Sequence, residues 1–337
     1  MKAIAYYQSL PADHAEALVD IDLPAPQPGP RDLLVEVRAI SVNPVDTKIR
    51  QRVTPEAGQP KVLGWDVAGV VVEVGAEVRQ FRPGDQVFYA GAIDRAGANS
   101  ELHVVDERIV GRMPGSLDFA RAAALPLTAV TAWELLFERL GVREGKGDDG
   151  QALLVTGAAG GVGSVLVQLA RQLTGLTVIG TASRDETRDW VQQLGAHHVI
   201  DHSQPLVPQL KALGIEQVDL VASLTHTDQH LDQLVEALAP QGRLALIDDP
   251  AQLDVVKLKR KSLSLHWEFM YTRSLFQTAD MIEQHRLLNR VSQLIDDGVL
   301  KTTLGEHFGT INAANLRRAH ALLESGKARG KIVLEGF

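Results

Sequence analysis

The sequence predicts an α/β chain with two parts, a β-rich domain and a doubly wound parallel-sheet domain. Three observations predict it. Residues 1–125 carry short strand-like runs broken by Pro and Gly. From Ala152 onward, apolar runs of strand length alternate with amphipathic runs of helix length. At the first of those junctions lies a glycine-rich turn, Gly157 to Gly163. A length of 337 residues accommodates two cores, and 45% apolar with 23% charged residues is an ordinary globular composition.

In chain order, Leu33–Ile40, Asp66–Val74, Gln86–Tyr89 and Glu101–Val105 read as strands, with turns at Pro28-Gly29-Pro30 and Pro83-Gly84-Asp85. Strands this short suit a small barrel or a two-sheet fold. The pattern changes at Leu125-Pro126. Val130, Trp133, Leu136 and Phe137 fall at helical spacing and predict a helix over Thr128–Leu140. A polar loop, Glu144–Gly150, then leads to a buried strand, Ala152–Thr156. Helix Val162–Leu173, strand Thr177–Thr181, helix Glu186–Leu194 and strand Val199–Asp201 follow. Next come helix Leu206–Leu213, strand Val218–Ala222, helix Asp228–Leu238 and strand Arg243–Ile247. Beyond Tyr271 a helix over Ala279–Asp297, a short strand, helix Ala313–Glu324 and strand Lys331–Leu334 form a tail too short to stand alone, so it completes the first domain. The expected division is 1–127, 128–270 and 271–337, the outer pieces belonging together.

A formal net charge of −8 opposes nucleic-acid binding, which rests on Lys and Arg neutralising phosphates. The one basic run, Lys257, Lys259, Arg260 and Lys261, interleaves with Leu258 and Leu263 and reads as the wet face of a strand. The absence of cysteine excludes disulfides, iron–sulfur clusters, thiolate catalysis and zinc sites built on Cys. The first ten residues lack a basic-then-apolar leader, and no apolar run approaches the ~18 residues that span a bilayer. A cytoplasmic protein without a membrane partner is expected. His197, His198 and His202 cluster near the third strand of the alternating region. Without convergence they read as a solvated loop, and no metal site is expected.

The most informative stretch is Leu153-Leu154-Val155-Thr156-Gly157-Ala158-Ala159-Gly160-Gly161-Val162-Gly163. In the dinucleotide fingerprint G-x-G-x-x-G, its three positions are taken by Ala158, Gly160 and Gly163. Gly160 lets the backbone approach a pyrophosphate, Gly163 lets the helix pack on the strand, and the helix N-terminus offers N–H groups to phosphates. Gly157, Ala159, Gly160, Gly161, Val162 and Gly163 are the expected cofactor contacts. A glycine turn alone is a weak signal; the strand before it and the helix after it give it weight. The second strand ends Thr181-Ala182-Ser183-Arg184, with no acid to bind a ribose 2′-OH. Arg184 can pair with a 2′-phosphate, which points to NADPH. Ser183 also reads as an N-cap, with Glu186 closing a capping box and Arg184 placed in the first turn against the helix dipole. Asp185 and Glu186 would repel a phosphate that they faced.

Five ordered segments resemble the medium-chain dehydrogenase/reductase superfamily, in its quinone-oxidoreductase and zinc-type alcohol dehydrogenase-like branch. They are Ser41-Val42-Asn43-Pro44-Val45-Asp46-Thr47, Leu63-Gly64-Trp65-Asp66-Val67-Ala68-Gly69-Val70-Val71, Pro83-Gly84-Asp85-Gln86-Val87, Ala123-Ala124-Leu125-Pro126-Leu127-Thr128-Ala129 and the glycine turn. The resemblance implies a GroES-like catalytic domain made from both chain ends, a Rossmann domain inserted between them, and an active site in the cleft between the two. It also exposes departures. Asn43 stands where zinc-dependent relatives carry a Cys ligand, and Gly64-Trp65-Asp66 stands for their Gly-His-Glu. An amide replaces a thiolate, and an indole, which binds no metal, replaces an imidazole. The four-cysteine structural zinc lobe is missing, so no zinc is expected.

The same resemblance implies that Asn43 and Asp46 sit beside the nicotinamide, that Thr128 faces it, and that Tyr89 can donate a hydrogen bond or a proton. Lys331 joins the cofactor-binding set. Plainer readings stand beside these: an Asx-turn at Asn43 before Pro44, and an N-cap at Thr128. Relatives often carry a tyrosine just after Asn-Pro-x-Asp; here that residue is Lys48, so solvent is an alternative proton source. Without a Lewis acid, quinones and α,β-unsaturated carbonyls are easier substrates than plain alcohols, because hydride adds at the far carbon and charge collects on an enolate oxygen. The expectation is an NADPH-dependent, zinc-independent reductase of small carbonyl-conjugated substrates. Two alternatives are a non-catalytic NADPH-binding sensor or structural protein, and a zinc-type alcohol dehydrogenase, which positions 43 and 65 oppose. The aromatic stretch Ser264–Met270 suits the edge by which this family pairs subunits, implying a homodimer.

Overall fold

The computed structural model describes residues 1–145 and 150–337; part of the expected Glu144–Gly150 loop lies outside the described residues. The chain divides into two compact units. One combines Met1–Val130 with Tyr271–Phe337, and the other is Thr131–Met270.

The first unit opens with β1 (Lys2–Tyr6), β2 (Val19–Asp22), β3 (Asp32–Val42), α1 (Pro44–Arg52), β4 (Lys61–Val62), β5 (Val67–Val74), β6 (Gln86–Tyr89), β7 (Leu102–Asp106) and β8 (Val110–Arg112). β1 lies at the centre of a small sheet, ordered β2-β1-β4. β3 is the spine of a larger one and pairs antiparallel with β5 and β7. It runs two residues past the expected Ile40, which carries Ser41 and Val42 into the sheet and leaves Asn43 at its end. No periodic signal announces α1, because PVDTKIRQR has no apolar stripe. Two local features start it. Pro44 at the first helical position has its φ preset and lacks an N–H that would go unused there. Asp46 then accepts the Asn43 backbone N–H at 2.8 Å.

After α2 (Phe119–Ala123), α3 spans Pro126–Trp133, two residues ahead of the expected Thr128 start, and a π-helical turn continues it over Glu134–Arg139. The second unit then alternates β9 (Ala152–Thr156), α4 (Gly161–Leu173), β10 (Thr177–Thr181), α5 (Asp185–Gln193), β11 (His198–Ile200), α6 (Leu206–Ala212), β12 (Val218–Ser223), α7 (Thr227–Ala237), β13 (Leu238–Leu246) and β14 (Ser264–Trp267). The sheet order is β11-β10-β9-β12-β13-β14, with every described pairing parallel. In order along the unit this is 3-2-1-4-5-6, the doubly wound arrangement whose ligand crevice opens beyond the carboxyl ends of the strands flanking the reversal. β9 is buried along its length, which explains its unbroken apolar run. The basic run is not a strand face but part of a 3-10 turn, Val255–Lys261. Lys261 Nζ donates to the carbonyls of Val235, Glu236 and Leu238 and so satisfies the open carboxyl end of α7.

The chain then returns to the first unit with α8 (Thr272–Leu275), α9 (Glu283–Asp296), β15 (Leu304–His307), α10 (Ala313–Glu324) and β16 (Lys331–Glu335). α9 starts four residues after the expected Ala279; backbone turns occupy the gap. β16 pairs antiparallel with β3, matching Ile332 to Val42, and parallel with β15. The last strand of the chain therefore brings Lys331 to the residues that follow β3.

Candidate functional site

In the first unit the end of β3, the first turn of α1, the segment before β5 and the start of β16 converge on a buried polar cluster. Asn43, Asp46 and Asp66 are at most 1% exposed, and Lys331 is 3% exposed. Asn43 Nδ2 donates to Asp66 Oδ2 at 2.8 Å, and Lys331 Nζ donates to Asn43 Oδ1. Lys331 Nζ also donates to the Val42 carbonyl at 2.9 Å and pairs with Asp66 Oδ2 at 3.0 Å. The other Asp66 oxygen accepts the Leu127 N–H at 2.7 Å. Burial pushes the Asp66 carboxyl up, while Lys331, the Leu127 N–H and Asn43 pull it back. Burial pushes Asp46 up to about 7, against the Asn43 N–H and the Lys331 charge. Tyr271 lies near both carboxylates; burial, then Asp46 and Asp66, hold its phenol well above the ordinary value.

Several expectations change here. Lys331 is not placed to bind a cofactor: its ammonium has three hydrogens, and three acceptors take them. Asn43 is no Asx-turn. It is the extended N-cap residue of α1, in a capping box with Asp46, and its side chain also meets Asp66 and Lys331. Thr128 is the third residue of α3, not its cap, and its hydroxyl donates back to the Leu125 carbonyl at 3.0 Å. The Tyr89 hydroxyl is committed to His103 Nδ1 at 3.0 Å, and both rings are buried. His103 Nε2 meets the Ala96 carbonyl at 3.0 Å, and burial lowers the imidazole to about 4. A neutral ring that donates from Nε2 accepts at Nδ1, so Tyr89 spends its proton on His103 and is no substrate donor.

A zinc ion finds no donor set among these residues. The Asn43 amide is engaged at both ends, Asp66 is neutralised by Lys331, and the buried Trp65 indole N–H donates to the Ala92 carbonyl at 3.2 Å. Among the described residues no group of three or more His, Asp or Glu side chains is arranged to hold a metal. His197 Nδ1 accepts the Val178 N–H, while His202 packs edge-on to His230.

The second unit holds the glycine turn between β9 and α4. The residue that needs glycine for its conformation is Gly157, at φ 66°, one position before Ala158. Ala158 is fully buried, and a methyl group on Gly180 of β10 would lie 2.9 Å from its Cβ, so the alanine fills space that Gly180 leaves. A Cβ on Gly163 would lie 2.5 Å from the Gly157 carbonyl oxygen and 2.6 Å from Ala158 Cα, so α4 can approach the turn only with glycine there. Gly160 is the N-cap of α4 and no side chain caps the helix, which leaves first-turn N–H groups for a phosphate. Gly157, Gly160, Gly161 and Val162 are partly exposed at this tip, whereas Ala159 and Gly163 are buried. The loop after β12 closes on the same turn, since a Gly157 Cβ would meet Thr225 Cγ2 at 3.0 Å. Sequence reasoning missed Thr225.

At the end of β10, Ser183 is not the N-cap. Arg184 is, in extended conformation, and Thr187 Oγ1 donates to its carbonyl at 2.8 Å. The cation therefore stands at the N-cap of α5 rather than in its first turn. Ser183 and Arg184 are both exposed beyond the carboxyl end of β10, and no acid stands between that end and Asp185.

The pattern described as "Alcohol dehydrogenase GroES-like domain" matches residues 29–128, and that described as "Zinc-binding dehydrogenase" matches residues 194–334. A zinc-type alcohol dehydrogenase-like protein of Staphylococcus epidermidis is 37% identical over 336 residues, covering 99% of each chain. A quinone oxidoreductase of Pseudomonas aeruginosa is 33% identical over 323 residues, 95% of each. Among solved structures, a Rhizobium etli chain assigned as a zinc-dependent alcohol dehydrogenase superposes with TM-score 0.96 at 56% identity, covering 100% of this chain and 98% of that one. The Escherichia coli quinone oxidoreductase in complex with NADPH superposes with TM-score 0.84 at 26% identity, covering 99% and 100%.

Proposed function

The chain belongs to the medium-chain dehydrogenase/reductase superfamily of oxidoreductases, and from that premise we propose that it is an NADPH-dependent, zinc-independent reductase of quinones or α,β-unsaturated carbonyls. The observation that carries this reading is the Asn43–Asp66–Lys331 network. Where zinc-dependent relatives carry a Cys ligand and a Gly-His-Glu motif, this chain has the Asn43 amide and Gly64-Trp65-Asp66, and Asn43 and Asp66 are both bonded to the Lys331 ammonium. A substrate that needs a Lewis acid to polarise a plain alcohol is poorly served there. One whose developing charge spreads over a conjugated carbonyl is not.

Gly157, Gly160, Gly161 and Val162 with the N-terminus of α4 suit a pyrophosphate, and Ser183 and Arg184 suit a 2′-phosphate. Bound there, a dihydronicotinamide supplies the hydride. Asn43 and Asp46 lie in buried polar surroundings, and Lys331 holds the Asn43 side chain in place. The NADPH-bound quinone oxidoreductase neighbour supports the cofactor choice. We also propose a homodimer through β14, the terminal strand of its sheet, where Trp267 and Phe269 are about half exposed.

The test is consumption of NADPH, followed by its near-ultraviolet absorbance, against one quinone, one enone, one alkenal and one simple aldehyde. Turnover of any of the first three with the aldehyde inert is expected. NADPH binding with no turnover on the whole panel would favour a sensor instead.

A further inference from the structure

The chain enters the second unit at Thr131 and leaves it at Met270. Glu134 follows closely on the first point and Glu268 closely precedes the second. Both are buried, at 1% and 3% exposed, and Arg139 reaches both. Its Nε donates to Glu268 Oε2 at 2.8 Å, and its Nη2 lies 3.9 Å from Glu134 Oε2. The π-helical turn aligns the two residues it begins and ends with. Residues five apart on an α-helix point about 140° apart round its axis. Here the Leu140 N–H donates to the Leu135 carbonyl, five residues back, at 2.9 Å, and the wider turn brings Glu134 and Arg139 to one side. Glu134 and Glu268 also hydrogen-bond to each other, and no N–H reaches Glu268 Oε1. An ionised carboxylate only accepts, so a bond between two carboxyl groups needs a proton on one of them. The neighbouring charges do not remove that need. Glu138 pairs with Arg139 at 4.0 Å from a partly exposed position, and Arg243 of β13 donates to the Leu140 carbonyl. His266 of β14 is held toward its neutral form by burial, then by Arg243 and Arg139. With both glutamates ionised, two buried negative charges would face one guanidinium, and a proton taken up between them balances the set.

We propose that Glu134, Glu268 and Arg139 form a proton-held clasp, in which one shared proton and one guanidinium fasten the segment by which the chain enters the second unit to the segment by which it leaves. The proton is part of the fastening: without it the hydrogen bond between the glutamates is gone and their charges repel. Burial first and Glu134 second raise Glu268 to about 9, from a model value of 4.5. Opening the clasp returns the carboxyl to water and to that lower value, so opening releases the proton. Between the two values each pH unit therefore makes opening easier by up to about tenfold, and above the higher one nothing more is gained. The clasp is firm toward acid and loose toward alkali. It lies wholly within the second unit and involves neither cofactor nor substrate.

Two measurements on the full chain test it. Infrared spectra report a protonated carboxyl by its carbonyl band, and about pH 8 lies between the values of about 7 for Asp46 and about 9 for Glu268. There wild type should show such a band, and Glu134→Gln and Glu268→Gln should each lose the same component, because either amide replaces the shared proton by an N–H. No band in wild type, or an undiminished band in either variant, overturns the shared proton. The second measurement is hydrogen exchange, corrected for base catalysis, from about pH 6 to about pH 9. In wild type, residues 131–140 and 264–270 should exchange faster than β9 and β12 and gain opening with one common slope, up to about tenfold per pH unit. Either glutamine variant should flatten that slope in both segments at once. Slopes that differ between the two segments, a slope that survives the substitutions, or exchange no faster than that of β9 and β12 overturns the clasp.

Discussion

Gly157 and Gly163 both hold the glycine turn between β9 and α4, but for different reasons, and substitution separates them. Gly157→Ala puts a side chain at φ 66°, a left-handed conformation that costs an L-residue about 1–2 kcal/mol. Gly163→Ala keeps an ordinary backbone but drives a methyl to 2.5 Å from the Gly157 carbonyl oxygen, and overpacking of that kind costs about 1–3 kcal/mol. Both variants should melt lower, and Gly163→Ala should also weaken NADPH at least about tenfold, read by fluorescence titration, because the helix N-terminus moves off the turn. Arg184→Ala should weaken NADPH by about tenfold or more, the worth of a charge-assisted hydrogen bond, and leave NADH unchanged. Equal loss for both cofactors would remove Arg184 from 2′-phosphate recognition. The sequence marked this stretch as a glycine-rich turn between a strand and a helix, and the structure has it between β9 and α4. It did not show which glycine makes the bend, because φ at 157 is set by how β9 hands over to α4, and fingerprint spacing points instead at Ala158.

At the scale of elements, β16 matters most, since it carries Lys331 to the end of β3. Lys331→Met leaves Asp46 and Asp66 without their cation, and breaking a buried pair this way costs about 3–5 kcal/mol, measurable by denaturant unfolding. A second acidic pair lies in the other unit. Glu268 is raised to about 9, by burial first and by the adjacent Glu134 carboxylate second, with Arg139 Nε at 2.8 Å pulling the other way. A carboxyl raised on folding binds its proton more tightly in the folded state. Stability is therefore lost as pH climbs from the unfolded value of 4.5 toward 9, and the loss is complete above that. Asp46 acts with the same sign between 3.8 and about 7. Glu268→Gln should flatten the alkaline fall in melting temperature and Asp46→Asn the neutral one; an unchanged slope in either contradicts its assignment. Neither cluster was legible in the sequence. Periodicity reports which face of an element is buried, but not which distant carboxylate an ammonium meets. α1 escaped for a related reason, since a proline and a capping aspartate define it rather than an apolar stripe.

For the molecule as a whole, the doubly wound unit was the readable part. Its strands are apolar throughout because helices cover both faces, and its helices repeat at their own period, so order and approximate bounds followed from pattern. The tail's membership of the first unit followed from its shortness. The terminal position of β14 makes a prediction at this scale: sedimentation should give twice the chain mass, and Trp267→Asp with Phe269→Asp should give the monomer. A wild-type monomer would end the dimer proposal. The ligand chemistry at positions 43, 65 and 66 makes the larger claim, that this oxidoreductase works without zinc. The most direct measurement is the rate of NADPH-dependent enone or quinone reduction before and after exhaustive chelation, and again after zinc is added back. The predicted result is one rate in all three states; activity that vanishes on chelation and returns only with zinc would contradict it.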